Sequence, residues 1–154
     1  MRLYLNAAMT SMKQPFKKLF LSLLILFGVS MTYAQVTGKW KYTDEQDGQE
    51  KSIVEIYEVN DRYNGRIVEL LPSSRRTHCE KCYGDLNGKP LTGMVVLYDL
   101  KKTSNGGRDG KLLDPGSGKV FSCYIELEGQ DRLKLRGYLG IPSVGKTLYY
   151  NRVK

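Results

Sequence analysis

His78-Cys79-Glu80-Lys81-Cys82 brings together the chain's single histidine and two of its three cysteines, residue types that bind metals, carry redox chemistry or cross-link a chain. A haem attachment site needs His directly after the second Cys, where this chain has Tyr83, and the flanking residues lack the βαβ setting of a thioredoxin-like redox pair. Three readings remain. His78, Cys79, Cys82 and Cys123 are four ligands of the types a structural zinc uses. Alternatively the cysteines form one disulfide, either Cys79–Cys82 or one of the two to Cys123, or all three stay free. The disulfide is favoured if the chain works in an oxidising compartment. A bond to Cys123 would pin the loop carrying the other two over one end of the fold, a staple worth ~2–4 kcal/mol.

Gly140-Ile141-Pro142-Ser143-Val144-Gly145-Lys146-Thr147 matches the spacing of a phosphate-binding loop. That mechanism needs a helix beginning at Lys146-Thr147, whereas Leu148-Tyr149-Tyr150-Asn151-Arg152-Val153 reads as a strand. The stretch is therefore a tight turn. No catalytic set is visible: His78 has no nucleophile at readable spacing, and Asp99, Asp109 and Asp114 fall near Gly-rich turns, where Asp is expected for turn geometry alone. No cofactor motif appears. The chain has eleven tyrosines, of which Tyr57, Tyr63, Tyr98, Tyr124, Tyr138, Tyr149 and Tyr150 lie on expected strands. Such rings either pack in the core and on strand surfaces or line a pocket for an apolar ligand with a polar end.

Strands must position these residues. In Val120 to Glu128 the residues Phe121, Cys123, Ile125 and Leu127 share one face, with Ser122, Tyr124, Glu126 and Glu128 on the other, the period of a half-buried strand. Gly129-Gln130-Asp131 then turns into Arg132 to Leu139, where Leu133, Leu135 and Leu139 face inward, so the pair is an antiparallel hairpin. Ser52 to Val59 and Tyr63 to Leu70 form a second hairpin, Met94 to Leu100 is a buried strand, Gly38 to Tyr42 opens the sheet and Thr147 to Val153 closes it. About eight short strands with no helical periodicity imply an all-β antiparallel barrel or sandwich. Pro72 to Gly93 is long and polar, and long loops in compact domains are usually functional or stapled.

Residues 1–34 read as an export signal. A basic lead (Arg2, Lys13, Lys17, Lys18) precedes an apolar run from Leu19 to Val29, and the small residues before Gln35 place cleavage after Ala34. The run is too short for the ~20 apolar residues of a membrane span. Residues 35–154 form one domain carrying 20 Lys and Arg against 16 Asp and Glu. That net charge of +4, spread along the domain, gives no case for a nucleic-acid partner.

Gly38-Lys39-Trp40, Leu91-Thr92-Gly93-Met94, Asp114-Pro115-Gly116-Ser117-Gly118-Lys119, Leu133 to Gly140 and the ending Gly145-Lys146-Thr147 with Arg152 together resemble domain of unknown function 2147, small exported bacterial proteins of lipocalin-like barrel type. The Cys-x-x-Cys ahead of Gly88-Lys89-Pro90-Leu91-Thr92-Gly93 is similar to the branch found in Bacteroidetes-type bacteria. One position departs from the pattern, Tyr150 standing where Trp is usual. The resemblance implies a calycin-like barrel in which Arg152 stacks on Trp40 and closes the floor, a structural cation–π contact of ~0.5–2 kcal/mol. It brings no reaction with it. The leading expectation is a non-enzymatic periplasmic or secreted protein whose barrel binds a small, partly apolar molecule or a lipid. An interaction module with a solid core, partnered by an envelope protein, is the alternative, and a hydrolase using turn carboxylates ranks third.

Overall fold

The computed structural model describes residues 35–154; the expected export signal lies outside them. Eight strands run β1 Gly38–Thr43, β2 Glu50–Val59, β3 Arg62–Leu70, β4 Val95–Thr103, β5 Gly106–Asp114, β6 Lys119–Leu127, β7 Arg132–Tyr138 and β8 Gly145–Arg152, with one short 3-10 turn at Gly84–Leu86. Each pairs antiparallel with its neighbour in sequence, and β1 pairs with β8 through Trp40–Arg152, Lys41–Asn151 and Tyr42–Tyr150. The sheet is thereby a closed barrel without free edges.

Alternation decides what faces inward. Ile125 stands opposite Leu135, and Leu127 opposite Leu133, all four buried. On the outer face Lys134 pairs with Glu126, Lys102 with Glu58 and Arg66 with Glu55. Exposed pairs of this kind are worth ~0–1 kcal/mol each and chiefly keep the outside wet. An apolar interior inside a charged exterior is the reverse of a membrane-spanning barrel. No helix among the described residues is long and apolar enough to cross a membrane.

The turn joining β2 and β3 places Asn60 and Asp61 at φ 51° and 60°, the left-handed pair that a two-residue hairpin turn requires. One strand departs from the reading of the sequence. Gly106–Asp114 looks like turn material, yet it is β5, paired on both sides. Packing overrides propensity there. A Cβ at Gly110 would stand 2.4 Å from Leu100 Cγ, and one at Gly106 only 2.0 Å from the carbonyl oxygen of Ile125. These glycines let the neighbouring chains close in. Asp99 and Asp109, both at φ 58°, accordingly lie inside β4 and β5 rather than in turns, at irregular points of each ladder.

The two ends of the barrel differ. The N-terminal Gln35 to Thr37 and the β2–β3, β4–β5 and β6–β7 turns gather at one end, over fully buried Trp40, Leu100, Leu133 and Leu135. Loops 44–49, 71–94, 115–118 and 139–144 gather at the other.

Candidate functional site

At that second end the barrel is hollow. A cavity of about 1080 Å³ opens between the loops and runs down to Tyr42 and Tyr150. Its wall is apolar, from Val54, Ile67, Leu70, Leu112, Phe121 and Leu148. Its mouth carries Asp44, Asp114, Lys51, Arg75, Arg76 and Lys146. The register builds this wall: inward positions of neighbouring strands meet as Leu112–Phe121 and Tyr150–Tyr42. Ser52, an inward position with a small side chain, leaves room that Leu or Phe would fill, whereas over Gly137 the Leu112 side chain closes in, 3.0 Å from where a Cβ would stand.

Tyr42 and Tyr150 sit side by side across the β1–β8 seam, ring centroids 5.3 Å apart. Neither hydroxyl has a hydrogen-bond partner among the described residues, whereas the Trp40 indole N–H donates to the Val36 carbonyl at 2.8 Å and the Tyr98 hydroxyl donates to the Val95 carbonyl at 2.5 Å. Burial, reinforced by Asp44, Glu45, Asp114 and Asp47, pushes the Tyr42 phenol up to about 12. Burial first, then Tyr42, Cys123 and Asp114, raises Tyr150 as well. Both are firmly hydrogen-bond donors at neutral pH.

Loop 71–94 forms part of the rim. Its ends are zipped by the Leu91 amide donating to the Thr77 carbonyl and the Cys79 amide donating to that of Lys89. Within it Cys79 and Cys82 are joined as a disulfide, their Cα atoms 5.5 Å apart and both residues buried. The pair lies on the β5–β6 turn: Gly118, at φ 71°, would drive a Cβ to 1.7 Å from the Lys81 carbonyl oxygen, so only glycine admits this contact.

Of the three disulfide candidates Cys123 is left out. It projects inward from β6 between Gly110 and Gly137, wholly buried and free, while the loop stays on the rim. Burial pushes its thiol up to about 12, so it is inert as a nucleophile. The zinc arrangement is not assembled, since two of its four donors are spent in the disulfide. No group of three or more His, Cys, Asp and Glu gathers among the described residues. His78 is exposed beside the Thr77 hydroxyl.

The Arg152 guanidinium lies over the Trp40 ring, 4.1 Å from its centroid. It also donates to the carbonyls of Gln130, Thr37 and Gln35, tying the N-terminal segment to the β6–β7 turn. Residues 139–144 form a turn that leads into β8, with Arg136 donating to the Pro142 and Ser143 carbonyls. The three aspartates are scattered: Asp99 faces Arg62 and Asp109 faces Lys101 on the outer surface, and Asp114 holds the Gly116 amide and the Ser117 hydroxyl at the cavity mouth.

Among the tyrosines noted in the sequence, Tyr150 and Tyr138 line the cavity. Tyr57, Tyr124 and Tyr149 instead carry cations from Arg66, Lys134 and Arg132. Tyr42 and Ser52 are cavity residues that no local pattern singled out. Parity along β1 and β2 gives their shared face, but the β1–β8 closure that seats Tyr42 against Tyr150 joins residues more than a hundred positions apart.

A family model described as "Uncharacterized protein conserved in bacteria (DUF2147)" matches residues 38–152. The chain belongs to that family. Among solved structures, protein HP1028 from Helicobacter pylori, described as belonging to the lipocalin family, is similar with a TM-score of 0.70 at 18% identity, over 79% of this chain and 85% of that one. At such identity the likeness is one of fold. No curated protein matches the sequence.

Proposed function

We propose that this member of the DUF2147 family is an exported, non-enzymatic protein that binds a small, partly apolar molecule or a lipid in the open half of its barrel. The observation that carries this reading is the cavity itself. Its volume lies just above the ~300–1,000 Å³ range of small-molecule sites, with largely apolar walls and several polar groups at the mouth. The lipocalin-type barrel it shares with the Helicobacter protein supports the reading by analogy only. Periplasmic or secreted location is supported by the signal-like order of residues 1–34 and agrees with the disulfide. The interaction-module alternative needs a solid interior, which only the half around Trp40 provides. The hydrolase alternative as read from the sequence needs two of Asp99, Asp109 and Asp114 together, whereas Asp99 and Asp109 pair with Arg62 and Lys101 outside the barrel.

Native and denaturing mass spectrometry of the chain exported by a bacterial host tests the proposal in one sample. It predicts a chain beginning at Gln35, two hydrogens lighter than the all-thiol form, with an adduct lost on denaturation. A chain free of adduct that also fails to take up any added amphiphile contradicts it.

A further inference from the structure

We infer that the cavity receives its ligand polar end first, a neutral carbonyl or hydroxyl oxygen seated on the Tyr42 and Tyr150 hydroxyls, with the apolar body reaching back toward the mouth. The inference rests on the cavity-binding reading and names the ligand chemistry the floor selects.

Three observations support it. Tyr150 is only 7% exposed, it lines the cavity, and its hydroxyl has no partner among the described residues. No sealed side-chain oxygen among the described residues lacks a partner, so this hydroxyl opens onto the cavity, where an outside acceptor can take the place of water. Tyr42 adds a second unpartnered hydroxyl on the ring beside it, which makes a two-donor seat. Beyond this seat and the neighbouring Ser52 the wall is largely apolar, from Val54, Ile67, Leu70, Leu112, Phe121 and Leu148, which suits an apolar chain or ring.

The surroundings set the charge. Asp44 at the end of β1 and Asp114 at the end of β5 both line the cavity, and the Cys123 thiol lies on the Tyr150 side. Desolvation around Tyr150, only 7% exposed, opposes any full charge there. Lys51, Arg75, Arg76 and Lys146 line the same mouth, with the Lys51 ammonium paired to Asp47, so charges of both signs stand there and it is burial at the phenol end that selects against a full charge. A neutral acceptor is what remains. It exchanges water for the two phenols at little loss.

Protein expressed from the full chain is loaded with N-phenyl-1-naphthylamine, and the probe is displaced by decan-1-ol, decanoate or decylammonium, which share one tail. Decan-1-ol is expected to compete best. Tyr150→Phe, which removes the hydroxyl and keeps the ring, is expected to weaken decan-1-ol about three- to tenfold, the effect of one hydrogen bond, and to weaken it more than it weakens the probe, measured by direct titration of the variant. Tyr42→Phe is expected to act in the same direction and serves if Tyr150→Phe lowers the melting temperature. Decanoate or decylammonium competing best, or decan-1-ol binding both variants as tightly as the wild type, overturns the inference and leaves the cavity reading intact. Failure of the wild type to bind the probe and all three amphiphiles overturns the cavity reading, and the inference with it.

Discussion

The two halves of this barrel obey one alternation rule and reach opposite results. In the half beneath Gln35 to Thr37, inward positions hold Trp40, Ile56, Leu97, Leu100, Leu133 and Leu135, which meet and fill the lumen. Toward the other end the same strands present Ser52, Val54, Leu112, Gly137 and Leu148 around a cavity of about 1080 Å³. Backbone geometry does not make the difference, since the strands run through both halves. Side-chain volume and the capping elements do. Arg152 and the N-terminal segment close the packed end, while at the other end the loops form a rim around the cavity, loop 71–94 resting on the β5–β6 turn.

The contrast breaks most visibly at Trp40. Trp40→Ala removes the largest side chain of the filled half and the platform under Arg152, and should cost about 3–5 kcal/mol in chemical denaturation. Leu135→Ala, in the same packed layer, should cost about 2–5 kcal/mol, whereas Leu148→Ala on the cavity wall should cost less than half as much, because one side of Leu148 already faces space. Equal losses at the two leucines would erase the distinction between the halves.

Removing the rim staple should have a smaller effect. The Cys79→Ser, Cys82→Ser double variant opens a loop of only a few residues, so about 2 kcal/mol is expected from chain entropy, read as a lower denaturation midpoint under oxidising conditions and no difference under reducing ones.

The smallest effect concerns alkaline pH. Tyr42 titrates near 10 when unfolded and at about 12 in the fold, so the folded chain holds the proton more tightly. Its contribution to stability is full below pH 10 and disappears as pH rises toward 12. Melting temperatures should accordingly fall across that window in the wild type, and Tyr42→Phe should flatten the fall. An unchanged slope in the variant would mean that other groups govern it.

Much of this was legible in the residues. The β6–β7 hairpin could be read because Phe121, Cys123, Ile125 and Leu127 alternate cleanly with polar neighbours, and β2–β3 because β-branched runs flank Asn60-Asp61. β5 was hidden because its glycines carry no propensity of their own; their meaning lies in Leu100 and Ile125 across the sheet. The Cys79–Cys82 pairing stood among the alternatives, and geometry selected it by burying Cys123 in β6, away from the rim. The cavity could be suspected from the tyrosines but not located. Which rings share a lumen depends on strand closure, and Tyr57, Tyr124 and Tyr149 proved to face cations outside.

The central claim is that the open half is a binding space and not a loosely packed core, and filling it tests this most directly. Ser52→Phe places a ring into the cavity from β2, next to Tyr42 across the β1–β2 ladder. Titration with N-phenyl-1-naphthylamine should give one saturable site in the wild type, and at least tenfold weaker binding in Ser52→Phe at an unchanged or higher melting temperature. Equal binding by the filled variant, or a sharp loss of stability on filling, would contradict the account.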